Sequence, residues 1–154
     1  MAKVSAVPQG MHTLTVQLSL DGAAEAIAFY AKAFGAEEIT PRAPDPSGKK
    51  IWHAGLKIGD SVLYVNDTFP EMGGKPQLAS LWLYTDGVDE LFKRATDAGC
   101  RVTMPLADMF WGDRTGQVVD KWGVQWNLAQ RIRDLTPEEM KKAQDDFVAG
   151  LPKR

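Results

Sequence analysis

The sequence predicts an α+β fold: one domain made of two tandem β-α-β-β-β modules, followed by a C-terminal helix. Three observations carry this prediction. The first is an internal repeat. "DGAAEAIAFYAKAFGAEEITP" starts at Asp21 and "DGVDELFKRATDAGCRVTMP" at Asp86; both open with Asp-Gly, reach a glycine (Gly35, Gly99) and end at a proline (Pro41, Pro105). The second is a shared spacing, since Gly59 and Gly123 are separated by the same interval as Pro41 and Pro105. The third is a change of period inside each copy. "TLTVQLSL" and "SLWLYT" alternate apolar and polar residues with period two, as half-buried strands do, and each is followed by apolar residues at helical spacing.

The elements follow in order. Module 1 spans about 10–68 and module 2 about 79–130, joined by a Pro- and Gly-rich linker at 69–78. The first helix carries Ile27, Tyr30 and Phe34 on one side, the second Val88, Leu91, Phe92 and Ala95. Gly35 and Gly99 stand where a helix ends in a left-handed residue. Further strands are predicted at 36–41, 51–58 and 61–66 in the first module, the last two joined by a Gly59-Asp60 turn, and at 100–104, 115–120 and 124–130 in the second. "PRAPDPSGKK" reads as a loop. Thr136-Pro137-Glu138-Glu139 is a capping box with proline at the first helical position, and it opens a helix over 137–149. Met140, Ala143 and Phe147 form the apolar side of that helix, which is expected to pack on the domain or on a second subunit.

Bulk properties exclude several function classes. The chain has 154 residues with 44% hydrophobic and 25% charged residues, ordinary values for a globular domain. A formal net charge of -2 gives no basis for binding nucleic acid or an anionic membrane. No apolar run is long enough to span a bilayer, and no secretory signal is recognised. Cys100 is the only cysteine, which excludes an internal disulfide and fits a reducing, cytoplasmic setting. It reads as a small buried hydrophobe rather than a nucleophile.

Strand alternation separates two faces. Val16, Leu18, Leu20, Leu63, Val65, Leu81, Leu83, Trp126 and Leu128 are assigned to the helix side. The opposite side collects Thr15, Gln17, Ser19, His53, Tyr64, Ser80, Trp82, Tyr84, Gln125 and Asn127. This set mixes neutral hydrogen-bonding groups with aromatic rings and contains no Lys or Glu. Such a lining suits an organic ligand, with rings supplying apolar area and a few polar groups fixing orientation. The competing readings are a subunit interface and plain solvent exposure. Trp82, Tyr84 and Trp111 are candidates to stack on a planar ligand. Arg114 is a candidate partner for a ligand carboxylate or phosphate, against a purely structural Asp113–Arg114 network. His53 is the one candidate general base on this face, against a hydrogen-bonded structural histidine; Tyr64 is a candidate proton donor, against a packing aromatic.

The stretches "HTLTVQLSLDGAAEAIAFYAKAFGAEE", "HAGLKIGDSVLYVND" and "MFWGDRTGQVVDKWGVQWNLA" resemble the PhnB-like branch of the vicinal oxygen chelate superfamily, which includes glyoxalase I, extradiol dioxygenases and bleomycin-binding resistance proteins. The resemblance covers about residues 11–132. It implies a curved mixed sheet around a cavity and a homodimer whose modules complete each cavity. In metal-dependent members, it also implies a His or Glu ligand on the first and last strand of each module. Those positions here are Thr15, Tyr64, Ser80 and Asn127, none a usual ligand for a divalent transition metal, and a register slip of one residue offers nothing better. His12 precedes the first strand. Lys121-Trp122 stands where relatives often carry a proline.

The sequence therefore supports a metal-independent protein without a cofactor that binds a small organic molecule. Two alternatives stay open: a metal-independent enzyme moving a proton with His53 or Tyr64, and a metal-dependent lyase or dioxygenase.

Overall fold

A computed structural model describes residues 4–153 of the chain. The chain forms two compact units, one ending at Ala79 and one starting at Ser80.

In the first unit, β1 (Val16–Leu20) leads into α1 (Ala23–Phe34), then β2 (Glu37–Glu38), β3 (Ala43–Pro44), β4 (Ile51–Ile58) and β5 (Ser61–Asp67). The sheet order is β1-β5-β4-β2, with β3 also paired to β4. β1 and β5 run parallel, with Leu18 opposite Val65 and Gln17 opposite Tyr64. The crossover between them carries α1, whose Ala26, Ile27, Tyr30 and Phe34 are buried with Leu18, Leu20, Leu56 and Val65. α1 ends at Gly35, whose φ of 68° lets its N–H and that of Ala36 turn back to Ala31 and Tyr30 carbonyls.

α1 has no side-chain cap of its own. Asp67, buried at the end of β5, supplies one: its Oδ1 accepts from the Gly22 and Ala23 N–H at 3.0 and 2.9 Å. Its Oδ2 accepts from the Ile51 N–H at 2.7 Å, so one carboxylate joins the start of the helix, the start of β4 and the end of β5. A negative group is favoured at a helix N-terminus, and charge-assisted bonds to buried N–H groups are strong ones. Past a short 3-10 turn at Pro70–Met72, the segment leading out of the unit returns to β1, where Ser19 and Gln77 exchange two main-chain hydrogen bonds.

The second unit repeats the plan. β6 (Ser80–Tyr84), α2 (Val88–Ala98), β7 (Arg101–Asp108), β8 (Asp113–Val119) and β9 (Gln125–Arg131) form a sheet of order β6-β9-β8-β7, with β6 parallel to β9. Val88, Leu91 and Ala95 of α2 are buried along with Val118, Trp126 and Leu128. The Trp126 indole N–H is satisfied by Asp120 Oδ2 at 3.0 Å. Gly116 lies under α2: a Cβ there would sit 2.7 Å from Phe92 Cε2 and 3.0 Å from the Met104 carbonyl, so only glycine lets β8 come this close.

α3 (Pro137–Ala149) opens with the expected capping box: the Glu139 N–H donates to Thr136 Oγ1 and the Thr136 N–H to Glu139 Oε2. No α3 side chain is fully buried; the helix meets the rest of its unit where the rings of Phe147 and Phe110 lie 4.9 Å apart.

The strands differ in detail from the sequence reading. β1 begins at Val16, so Thr15 lies just before the ladder. The 36–41 strand is reduced to Glu37–Glu38, and part of the expected loop, Ala43–Pro44, pairs with β4. β7 runs through Pro105 to Asp108, because β7 pairs with β8 through two irregularities, and Pro105 falls in one of them.

Two predictions follow from the packing. Asp67→Ala removes three charge-assisted acceptances and is expected to lower stability by about 2–4 kcal/mol, read as a drop in the urea midpoint. Cys100 is buried, and desolvation, aided by the negative charge of Asp120, pushes its thiol up to about 12. At neutral pH it stays protonated, so a thiol-specific reagent should leave it untouched in the native protein and modify it once urea unfolds the chain. Rapid native modification would contradict this packing.

Candidate functional site

Each unit presents a sheet face turned away from its helix, and each is built by strand alternation. In the first unit, Gln17 and Tyr64 are opposite one another, as are Ser19 and Asn66. Asn66 Oδ1 accepts from Gln17 Nε2 at 3.1 Å and Ser19 Oγ at 2.9 Å, while its own amide donates to the Asp67 carbonyl at 2.9 Å. On the neighbouring strand, His53 meets Tyr64 edge-to-face with ring centroids 4.5 Å apart. His53 is exposed and Tyr64 half-buried. Thr15, half-buried ahead of β1, is not a ladder partner of Tyr64; Gln17 takes that place. Asn66, which strand alternation places on the same side as Tyr64, is the polar hub of this face.

The second unit is more aromatic. Trp82 and Tyr84 project from alternate positions of edge strand β6 and stack, with centroids 6.1 Å apart and ring planes at 21°. They remain 51% and 57% exposed, unusual for two large rings side by side. Beside them, the Asn127 amide donates to Ser80 Oγ at 2.9 Å and the Leu81 carbonyl at 3.1 Å, and the Gln125 amide donates to Ser80 Oγ at 3.0 Å. Asn127 is buried, so it braces β6 against β9 more than it offers itself to solvent.

Asp113 completes this face. Its Oδ2 accepts from the Tyr84 hydroxyl at 2.8 Å and from the Trp111 indole N–H at 3.0 Å. Burial, then the hydrogen bond to Asp113, raise the Tyr84 phenol above its ordinary range and keep it a neutral donor. Asp113 is 2% exposed, and its Oδ1 has no partner among the described residues.

Arg114 departs from expectation. In the β8–β9 ladder it is opposite Gln130, one step out of phase with Asp113 and Thr115, and this places it on the helix side. There its Nε and Nη2 grip Asp89 of α2 at 3.0 and 2.8 Å, and Nη1 reaches Asp108 at 3.1 Å. These two carboxylates hold the guanidinium further above its already high range. Arg114 thus ties α2 to the sheet from the helix side. Alternation within "DRTGQV" carried this signal: Asp113, Thr115 and Gln117 share one side and Arg114, Gly116 and Val118 the other.

Residues 12–128 match the model of the Glyoxalase/Bleomycin resistance protein/Dioxygenase superfamily. The protein Rv0887c of Mycobacterium tuberculosis is 40% identical over 139 residues, covering 84% of this chain and 81% of its own. This chain belongs to that superfamily. Among solved structures, TioX from Micromonospora sp. ML1 is similar with 28% identity and a TM-score of 0.66, over 79% of this chain and 99% of TioX. TnmS3, an antibiotic binding protein from Streptomyces sp. CB03234, is similar with 25% identity and a TM-score of 0.59, over 83% of this chain and 99% of its own.

Superfamily membership raises the question of a metal. The four positions in question offer a hydroxyl (Thr15), a phenol (Tyr64), a hydroxyl already accepting two bonds (Ser80) and an amide already donating two (Asn127). No group of three His, Cys, Asp or Glu among the described residues is placed to hold a metal ion. These donors do not fit a divalent transition metal.

Proposed function

We propose that this protein binds a small organic molecule on an aromatic sheet face turned away from a helix, with the Trp82–Tyr84 stack of the second unit as the main contact. The observation that carries this reading is that stack: two large rings, aligned and half-exposed, bordered by hydroxyl and amide groups. Exposed rings held rigid lose little entropy on meeting a planar ligand and bury much apolar area. The likeness to TnmS3, an antibiotic binding protein, supports a small organic molecule as the ligand. In the second unit, Ser80 and Gln125 would border a ligand on the stack, with Asn127 bracing them from beneath and Trp111 as a buttress; in the first unit, taken by itself, Gln17, Ser19 and Tyr64, with Thr15 at the margin, would offer a polar face of the same kind. The reading needs no cofactor.

The reading extends to a homodimer in the cytoplasm. The buried free thiol of Cys100 supports a reducing location. Light scattering of the purified chain tests the dimer.

A second reading assigns proton transfer to His53, favoured by its ring contact with Tyr64. His53→Ala separates the two: turnover lost with binding retained supports the enzyme, and unchanged behaviour removes it.

The principal test is a thermal-shift screen with planar aromatic compounds, repeated on Trp82→Ala. A hit raises the melting temperature because it binds the native state. The variant is expected to weaken that hit by about 1.5 kcal/mol or more. A hit that binds Trp82→Ala equally well places the contact elsewhere.

A further inference from the structure

The aromatic stack of the second unit stands beside a buried carboxylate, and that pairing bears on the charge of the ligand. Asp113 accepts from two neutral donors, the Tyr84 hydroxyl and the Trp111 indole, through one oxygen. Its other oxygen is buried and unpartnered among the described residues. The turn that precedes Asp113 does not need the carboxylate. Main-chain bonds close it, from the Met109 N–H to the Asp113 carbonyl at 2.7 Å and from the Gly112 N–H to the Met109 carbonyl at 3.1 Å.

A buried carboxylate is costly unless a cation compensates it. Arg131, its partner across the β8–β9 ladder, is engaged by Asp134, with Nε 2.7 Å from Oδ1. Two carboxylates therefore share one guanidinium. The ring faces add to this balance, since indole and phenol faces carry negative quadrupole charge. A phenol that donates to a carboxylate has a more electron-rich ring still.

We infer that the Trp82–Tyr84 platform, backed by Asp113, selects a planar aromatic cation over a neutral or anionic molecule of the same shape. This rests on the ligand-binding reading above and adds the charge of the ligand to it. The cation lies on the ring faces, and Asp113 acts on it through the rings and the low-dielectric interior.

The test is calorimetric titration of the full chain with N-methylquinolinium and with quinoline, at a pH where quinoline is neutral. The wild type is expected to bind the cation about tenfold more tightly. Asp113→Asn keeps an acceptor for Tyr84 and is expected to bring the two affinities together, read as the ratio of the cation's affinity to that of quinoline in the same variant. Arg131→Gln, at an exposed strand end, is expected to raise the preference about threefold and serves if the Asp113 variant does not fold. Equal binding of both probes by the wild type overturns the charge preference and leaves the ligand-binding reading standing. A preference that survives Asp113→Asn overturns the role of Asp113. Failure of both probes to bind the wild type overturns the inference and the reading beneath it.

Discussion

The parallel pairing of the first and last strand in each unit is the constraint on which the rest depends. Parallel neighbours cannot be joined by a tight turn, so the chain must cross over, and the crossover carries a helix that covers one face of the sheet. Once that face is covered, the period of two fixes every side chain. Leu18 with Val65, and Leu83 with Leu128, go under the helix; Gln17 with Tyr64, and Trp82 with Asn127, go to the other side. A slip of one residue in either pairing would bury amides and expose leucines, so the core and the candidate site are specified by the same register.

The two units solve the same problem with different chemistry. Asp67, at the end of β5, caps α1 and also holds β4. At the matching place, Gln130 near the end of β9 accepts from the Val88 N–H of α2 at 3.3 Å, a longer and neutral bond. α2 compensates with Asp89 and Glu90 in its first turn, and Asp89 is in turn fixed by Arg114. The second unit thus commits Arg114 to the helix side, and its opposite face is rich in rings.

Much of this plan was legible in the residues. The repeat, the helix ends at Gly35 and Gly99, the α3 capping box and the division of strand faces depend on local spacing, which a sequence displays directly. The short strands β2 and β3 were not legible, because two-residue pairings are decided by what β4 offers rather than by their own propensity. Arg114 was legible by alternation but masked by its chemistry, since an arginine beside tryptophans invites a ligand reading. Asp113 was hidden because the donors it collects come from Tyr84, far off in sequence, and from Trp111 across a turn. The side on which Asn66 lies was legible by alternation, but its role as a hub was not, as its partners Gln17 and Ser19 belong to another strand.

The pair of main-chain bonds between Ser19 and Gln77 has a further consequence. β1 is an edge strand, and an unprotected edge is a template on which a second chain can add. The segment leaving the first unit lies along that edge and occupies both hydrogen-bonding groups of Ser19. The connector between the units is therefore also a guard against self-association. A cut or deletion near Gln77 would uncover the strand and favour strand-to-strand aggregation while leaving every core contact of the first unit in place.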